Sequence, residues 1–383
     1  MPDDRRVIDV TAVVAGGDGL GRDDDGRVTF ITGALPGERV EVVVTEERRD
    51  FARGEVERIE VRSADRCDPP CPFVAAGCGG CGWQHVNPSA QVRYKRDLVV
   101  DALTRIGRLE APVVDECVAL DPFGYRTTVR VAIDANGRPA FRMASSHDLV
   151  TVDACLVAHP LINDVLKDAH WPGAREAVVR CGARTGDTLV DVRPRPAGVE
   201  PPTHFHEDAG GRRWRISTGS FFQIRPDGAD ALAVLVTEAL KANDVRSVVD
   251  LYAGVGFFAG VLHDAGFGVR AAVEGGRYAA ADARVNLDGV CDVIERDVAK
   301  WKGVAADAVV VDPSRRGLMA EGLATVERCS PRVVVLVSCD VAALGRDAKL
   351  LTAAGFELTQ ATPVDLFPNT PHVETVATFV RRG

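Results

Sequence analysis

The sequence predicts an α/β chain in three parts. An OB-like β-barrel comes first, then a mixed α+β middle segment around a cysteine cluster, then a Rossmann-like sheet whose last strand is reversed. Three observations predict it. Short apolar runs between turn signals fill residues 5–60. Four cysteines crowd into residues 67–81. Regular β/α alternation begins near residue 245 and ends in two strands separated only by PNTP (368–371). The boundaries that follow are 1–62, 63–215 and 216–383.

In the first part the strands are RVIDVTAVV, RVTFI, ERVEVVV and EVERIEV, with turns at AGGDGLG, DDDG and LPGE. Short strands at this spacing suit a small barrel of the oligonucleotide-binding type, and equally another small all-β domain. In the middle part, residues 89–106 carry Val92, Leu98, Val99, Ala102, Leu103 and Ile106 at helical spacing. β-like runs (TVRVAI, DTLVDVRP) follow, and the Pro-rich segment 193–211 reads as a surface loop.

The third part reads strand by strand as SVVDLY, VRAAVE, CDVIERD, DAVVVD, RVVVLVS, FELTQATPVDLF and HVETVATFVRR. Helices are expected after the first, at 277–286, near 318–328 and at 341–353. A parallel crossover needs about a dozen residues or more, so PNTP forces the last two strands to pair antiparallel or lie apart. A parallel sheet closed by a reversed strand is the layout of class I methyltransferases.

Composition excludes several classes. The 383 residues are 46% hydrophobic and 26% charged, ordinary for a folded domain. MPDDRRVIDV lacks the apolar core of a signal peptide, and no 18-residue apolar run exists, so a membrane protein is not expected. A cytoplasmic location follows, with reduced thiols. Net charge is −9, which weighs against a nucleic-acid partner. Residues 1–60, with 9 basic and 15 acidic side chains, hold most of that deficit and leave room for a local basic groove elsewhere.

Five motifs carry chemistry. In DLYAGVGFF (250–258) an acid ends a strand and Gly254 and Gly256 shape a turn into a helix, where a ligand can approach the backbone. The third glycine of a dinucleotide fingerprint is absent, and Glu274 ends the next strand, placed to grip ribose hydroxyls. An adenosyl ligand without pyrophosphate fits; a plain helix-start turn is the other reading. VDPSRRG ends the fourth strand with Asp312, which is otherwise a common turn starter. VSCDVAALGRD puts Cys339 between a strand and a helix, whose N-terminus is expected to enrich the thiolate; a buried structural cysteine is the other reading. HVET opens the reversed strand, so Glu374 is expected on the rim that carries Asp312 and Cys339. In CPFVAAGCGGCGWQH, Cys71, Cys78 and Cys81 have spacings suited to zinc or an iron–sulfur cluster, with Cys155 or Cys67 as a fourth ligand; a redox dithiol is the alternative.

Taken in order, these motifs resemble the bacterial RNA uridine carbon-5 methyltransferases, in particular the 23S ribosomal RNA branch. AGGDGLGR and ITGALPGERVEV look like a TRAM domain, GYRTTVRVAI like the family's GYRNK-type segment, and SFFQIRPDGA like its cofactor-binding stretch. The resemblance implies a [4Fe–4S] cluster on Cys71, Cys78, Cys81 and Cys155. It implies S-adenosylmethionine against Gln223, Tyr252, Glu274, Asp297 and Asp312, with Cys339 as nucleophile and Glu374 as base. RNA is the implied partner, 23S ribosomal RNA before transfer RNA, for a monomeric enzyme. A catalytically impaired RNA-binding iron–sulfur protein is the alternative of another class. Phe221 and Phe222 are candidates for stacking on a flipped base, with core packing as their other role. The chain departs from the family at Ser314, Asp340, Val341, Phe257 and Thr127.

Overall fold

The computed structural model describes residues 5–382 except 145, 196, 197, 199 and 201. β1 (Arg5–Val13), β2 (Gly19–Arg22), β3 (Val28–Thr32), β4 (Arg39–Glu47) and β5 (Phe51–Val61) close a barrel in the order β1-β2-β3-β5-β4. Alternate residues Ile8, Val10, Ile31, Val40 and Val42 fill it. The glycines of residues 15–21 predict a turn, yet β2 is a strand. A β-carbon on Gly21 would meet Ile8 Cγ2 at 2.3 Å, so this crossing accepts only glycine, the residue that usually marks a turn.

The middle part begins with α1 (Pro72–Ala75) and α2 (Pro88–Asp101), the latter running on into a π-helical turn at Ala102–Ile106. β6 (Thr128–Ile133), β7 (Pro139–Arg142), β8 (Leu149–Thr151), α3 (Pro160–Asp168), β9 (Glu176–Cys181) and β10 (Thr188–Arg193) follow. The five strands form one antiparallel sheet in the order β10-β9-β6-β7-β8, with α3 packed on one face through Ile162 and Leu166.

A second correction lies between β10 and the C-terminal part. The expected loop at 193–211 ends in a strand, β11 (His204–Ala209), paired with β12 (Arg212–Ser217) across Gly210 and Gly211, both at positive φ. Its HFHEDA sequence hides the strand because Glu207 points inward. The cost of burying that carboxylate is offset by amides of Ala183 (2.6 Å), Arg184 (3.0 Å) and Asp208 (3.0 Å).

The C-terminal part contains α4 (Pro226–Ala242), β13 (Ser247–Leu251), α5 (Phe257–Asp264), β14 (Gly268–Glu274), α6 (Arg277–Asn286) and β15 (Val293–Glu295). It continues with β16 (Ala308–Val311), α7 (Met319–Arg328), β17 (Val333–Ser338), α8 (Val341–Ala353), β18 (Phe356–Val364) and β19 (Glu374–Arg381). The sheet order is β15-β14-β13-β16-β17-β19-β18. β13 to β17 pair in parallel, and β19 enters antiparallel to both neighbours. Helices cover both faces, so β16 and β17 are buried throughout, which is why they read as unbroken valine runs. The order reverses between β13 and β16, and a ligand crevice is expected outside the carboxyl ends there.

α2 ties the N-terminal half to this sheet. Lys95, fully buried, pairs with Asp365 and donates to the Phe367 carbonyl (3.0 Å). Gln91 Oε1 accepts from the Asn369 amide (2.7 Å). The loop that leads into Glu374 is therefore braced by a helix some 270 residues earlier in the chain.

Candidate functional site

The rim follows from strand register. Ser338 on β17 stands opposite Thr375 on β19. Carrying that antiparallel register one step further sets Cys339 across from Glu374, positions whose β-carbons lie about 4.5–5.5 Å apart in such pairs. Asp312 leaves the end of β16, the parallel neighbour of β17, and Gln223 Nε2 donates to its Oδ2 at 3.4 Å.

Electrostatics bind the three acids of this rim together. Burial and the charge of Asp312 hold Glu374, 4% exposed, well above the usual carboxylate range, with Arg315 opposing. Burial pushes Asp312 up to about 7. The Cys339 thiol is pushed up to about 12, first by burial, then by Glu374 and Asp312, against Arg315. This corrects the expectation of an enriched thiolate. The start of α8 lies beside Cys339, but its first-turn amide of Ala343 is already taken by the Asp340 carboxylate (2.7 Å), and two further carboxylates face the sulfur. Arg315, in the DPSRRG motif, acts on this rim although its sequence context does not single it out.

The crevice lies one strand pair away. After β13, Tyr252 (φ 62°), Gly254 (φ 57°) and Gly256 (φ 92°) bend the chain into α5, and a β-carbon on Gly254 would meet open space. Glu274 brackets this loop, accepting from the Gly254 amide (2.8 Å) and the Gly276 amide (2.5 Å). Each oxygen keeps a further lone pair for a ligand hydroxyl. Asp297 is exposed just beyond β15 and caps a short turn through the Ala299 amide (2.9 Å). Its charge, after burial, contributes to holding the half-buried Tyr252 phenol up at about 12. Asp250, the next-to-last residue of β13, is fully buried and accepts from the Ala259 amide (2.9 Å). Burial holds it up at about 8, so it fixes the start of α5 from beneath rather than facing the crevice.

Three of the departures from the family pattern, at Phe257, Asp340 and Thr127, have local explanations. Phe257 is 6% exposed and packs its ring on Trp214, Phe222 and Phe258, away from any polar contact. Asp340 caps α8, as Asn would. Thr127 donates from its hydroxyl to the Ile224 carbonyl (2.8 Å), pinning the residue next to Gln223. Of the two candidate stacking rings, Phe222 is core and Phe221 is 68% exposed.

Cys71, Cys78, Cys81 and Cys155 line one pocket, together with Phe73, Phe141, Gln84 and Arg126. Cys67 lies outside it and donates to the Gln84 carbonyl (3.4 Å). The loop bearing Cys78 and Cys81 is held to β7 by the Gly79 amide on the Arg142 carbonyl (3.0 Å), and a β-carbon on Gly79 would stand 2.9 Å from Ala144. Among the described residues, no group of three or more His, Cys, Asp or Glu is placed to hold a metal ion. No helix among them is long and apolar enough to cross a membrane.

Residues 5–56 match the TRAM domain family. The fold is similar to that of the Pyrococcus abyssi tRNA (uracil-54, C5)-methyltransferase, solved with S-adenosyl-L-homocysteine. That likeness has a TM-score of 0.76 at 24% identity and covers 97% of this chain and 100% of that one. An uncharacterized RNA methyltransferase of Streptomyces coelicolor is 33% identical, over 97% of this chain and 91% of its own length. Another, from Gloeobacter violaceus, is 34% identical over 98% and 96%. Identity at this level along nearly the whole of both chains shows that the protein belongs to the RNA methyltransferase family.

Proposed function

We propose that the protein methylates carbon 5 of a uridine in RNA, 23S ribosomal RNA in the first place, with Cys339 as nucleophile and Glu374 as base. The observation that carries this reading is the pairing of Ser338 with Thr375, which continued by one residue brings Cys339 toward Glu374, with Asp312 after the adjoining strand. Uracil carbon 5 is a poor nucleophile. The Cys339 thiol gives up its proton to solvent, and the thiolate sulfur attacks carbon 6, forming an S–C bond and moving the ring electrons toward carbon 5 and the carbonyl oxygen to give an enolate. Carbon 5 then takes the methyl group. Glu374, in its carboxylate form, takes the remaining carbon-5 proton, the double bond re-forms, and the S–C bond breaks to free the Cys339 thiolate. A positioned base of this kind contributes about 10²–10⁴-fold. The target base must leave its stack, at a cost of a few kcal/mol.

S-adenosylmethionine supplies an electrophilic methyl group. The open glycine turn at the switch point and the carboxylate of Glu274 beside it suit an adenosyl ligand without pyrophosphate. Gln223, Tyr252, Glu274, Asp297 and Asp312 would hold it.

Cys71, Cys78, Cys81 and Cys155 would hold a [4Fe–4S] cluster. They line one pocket, and four cysteine thiolates are the usual ligand set of such a cluster. Its role in this reading is structural, fixing the loop on β7. The three-part division at 1–62, 63–215 and 216–383 belongs to the same reading, as does a monomeric enzyme of the cytoplasm.

The substrate is tested by mapping 5-methyluridine in RNA from a deletion strain. Loss of one site in 23S ribosomal RNA is expected. Loss from transfer RNA alone would contradict the ribosomal assignment and leave the chemistry standing.

A further inference from the structure

A groove of about 830 Å³ crosses the middle sheet, and none of its lining residues belongs to the rim of Cys339 and Glu374. Its position follows from the pleat. β6 and β9 turn Val129, Val131, Ala177 and Val179 toward α3. Ala132 stands opposite both Ala140 and Glu176, and Arg193 opposite Glu176, so these residues share the other face. Two residues along, Arg130 and Arg142 share that face too.

The lining carries five arginines, Arg126, Arg130, Arg142, Arg175 and Arg193, against one carboxylate, Glu176. In a chain of net charge −9 this is a local reversal of sign. Internal pairing accounts for only part of it. Arg193 is paired, with the buried Asp191 at 2.9 Å, but Arg130 reaches Glu176 only at 3.7 Å and its side chain is 70% exposed. Exposed pairs of this kind contribute about 0–1 kcal/mol, too little to explain gathering five cations. Arg126 Nε is buried with no hydrogen-bond partner, and Arg126 also lines the cysteine pocket. From Arg193 on β10 to Arg142 on β7 the sheet advances three strand spacings, about 14 Å. That is too far for one phosphate group and suited to a short stretch of phosphodiester backbone.

We propose that this arginine groove is a second RNA site, gripping the sugar–phosphate backbone of the substrate without reading its sequence. The inference rests on RNA being the substrate. It does not depend on which base is methylated. Guanidinium forks suit phosphate oxygens, and contacts of this kind set affinity and register rather than sequence choice.

The test is the triple variant Arg130→Gln/Arg142→Gln/Arg175→Gln, measured for binding to an unmodified 23S ribosomal RNA transcript across a salt series. Each phosphate contact on single strands adds roughly 0.7 to the slope of log K against log salt, so the slope should fall by about 2. At ~0.15 M salt the affinity should drop about tenfold or more, and equally for a transcript of unrelated sequence. The maximal methyl-transfer rate at saturating RNA should be unchanged, and the triple exchange to Lys should keep most of the slope. Should the triple variant lose its thermal unfolding transition, Arg175→Gln alone carries the test, with a slope change of about 0.7. An unchanged slope and affinity, or a loss confined to one sequence, overturns the proposal. Failure of the uridine reading looks different: wild-type protein would bind RNA through the groove and leave the methyl group elsewhere.

Discussion

Cys339 rests as a thiol held in reserve. Burial, Glu374 and Asp312 all push its proton affinity up, and Arg315 opposes them. The sign is testable. Because a nearby carboxylate disfavours the thiolate, replacing Glu374 by Gln should lower the Cys339 pKa. In RNA-free protein at pH 9, alkylation of Cys339 by iodoacetamide should be slow in the wild type and several-fold faster in Glu374→Gln. Mass mapping of the alkylated peptide reads this. Equal rates would mean that Glu374 does not face the sulfur. Asp312 adds a pH dependence of its own. Its folded-state pKa of about 7 lies above the value of ~3.9 in an unfolded chain, so the stability linked to its proton is full below pH 4 and lost as pH rises through 7.

At the scale of elements, the legible parts were those whose pattern matches their environment. β16 and β17 read as apolar runs because both faces are covered, and α6 and α8 match the sequence expectation to the residue. β2 and β11 were missed because each carries residues that usually deny a strand. Gly19 and Gly21 are set by close approach in the barrel, and Glu207 by three amide donors that no local pattern reveals. The cysteine spacing was legible, and the fold brings Cys71, Cys78, Cys81 and Cys155 to one pocket. What the sequence left open between Cys67 and Cys155 turns on which thiol reaches the pocket, and Cys155 lines it. Four-thiolate ligation predicts brown protein after anaerobic purification, with about four irons per chain. Stoichiometric zinc without visible absorbance would exclude the cluster.

At the scale of the whole molecule, one reversal of chain direction brings the proposed site residues to one rim. β19 enters the sheet between β17 and β18 against its neighbours, so the start of the last strand meets the end of the fifth. This was readable from the length of PNTP alone, because so short a link cannot carry a parallel crossover. What was not readable is the support from a distance. Lys95 and Gln91 on α2 brace residues 365–369, and nothing local in either segment names the other. The thiol pKa was misread for the same reason, since it depends on carboxylates contributed by other strands.

The division of labour between Cys339 and Glu374 is the central claim, and a denaturing gel with labelled RNA tests it most directly. Cys339→Ala should form no adduct and transfer no methyl group. Glu374→Gln should attack and methylate once, then stall for want of proton removal, leaving a detergent-resistant protein–RNA species that carries the transferred methyl. Turnover by Cys339→Ala, or normal turnover by Glu374→Gln without a trapped species, would contradict the account.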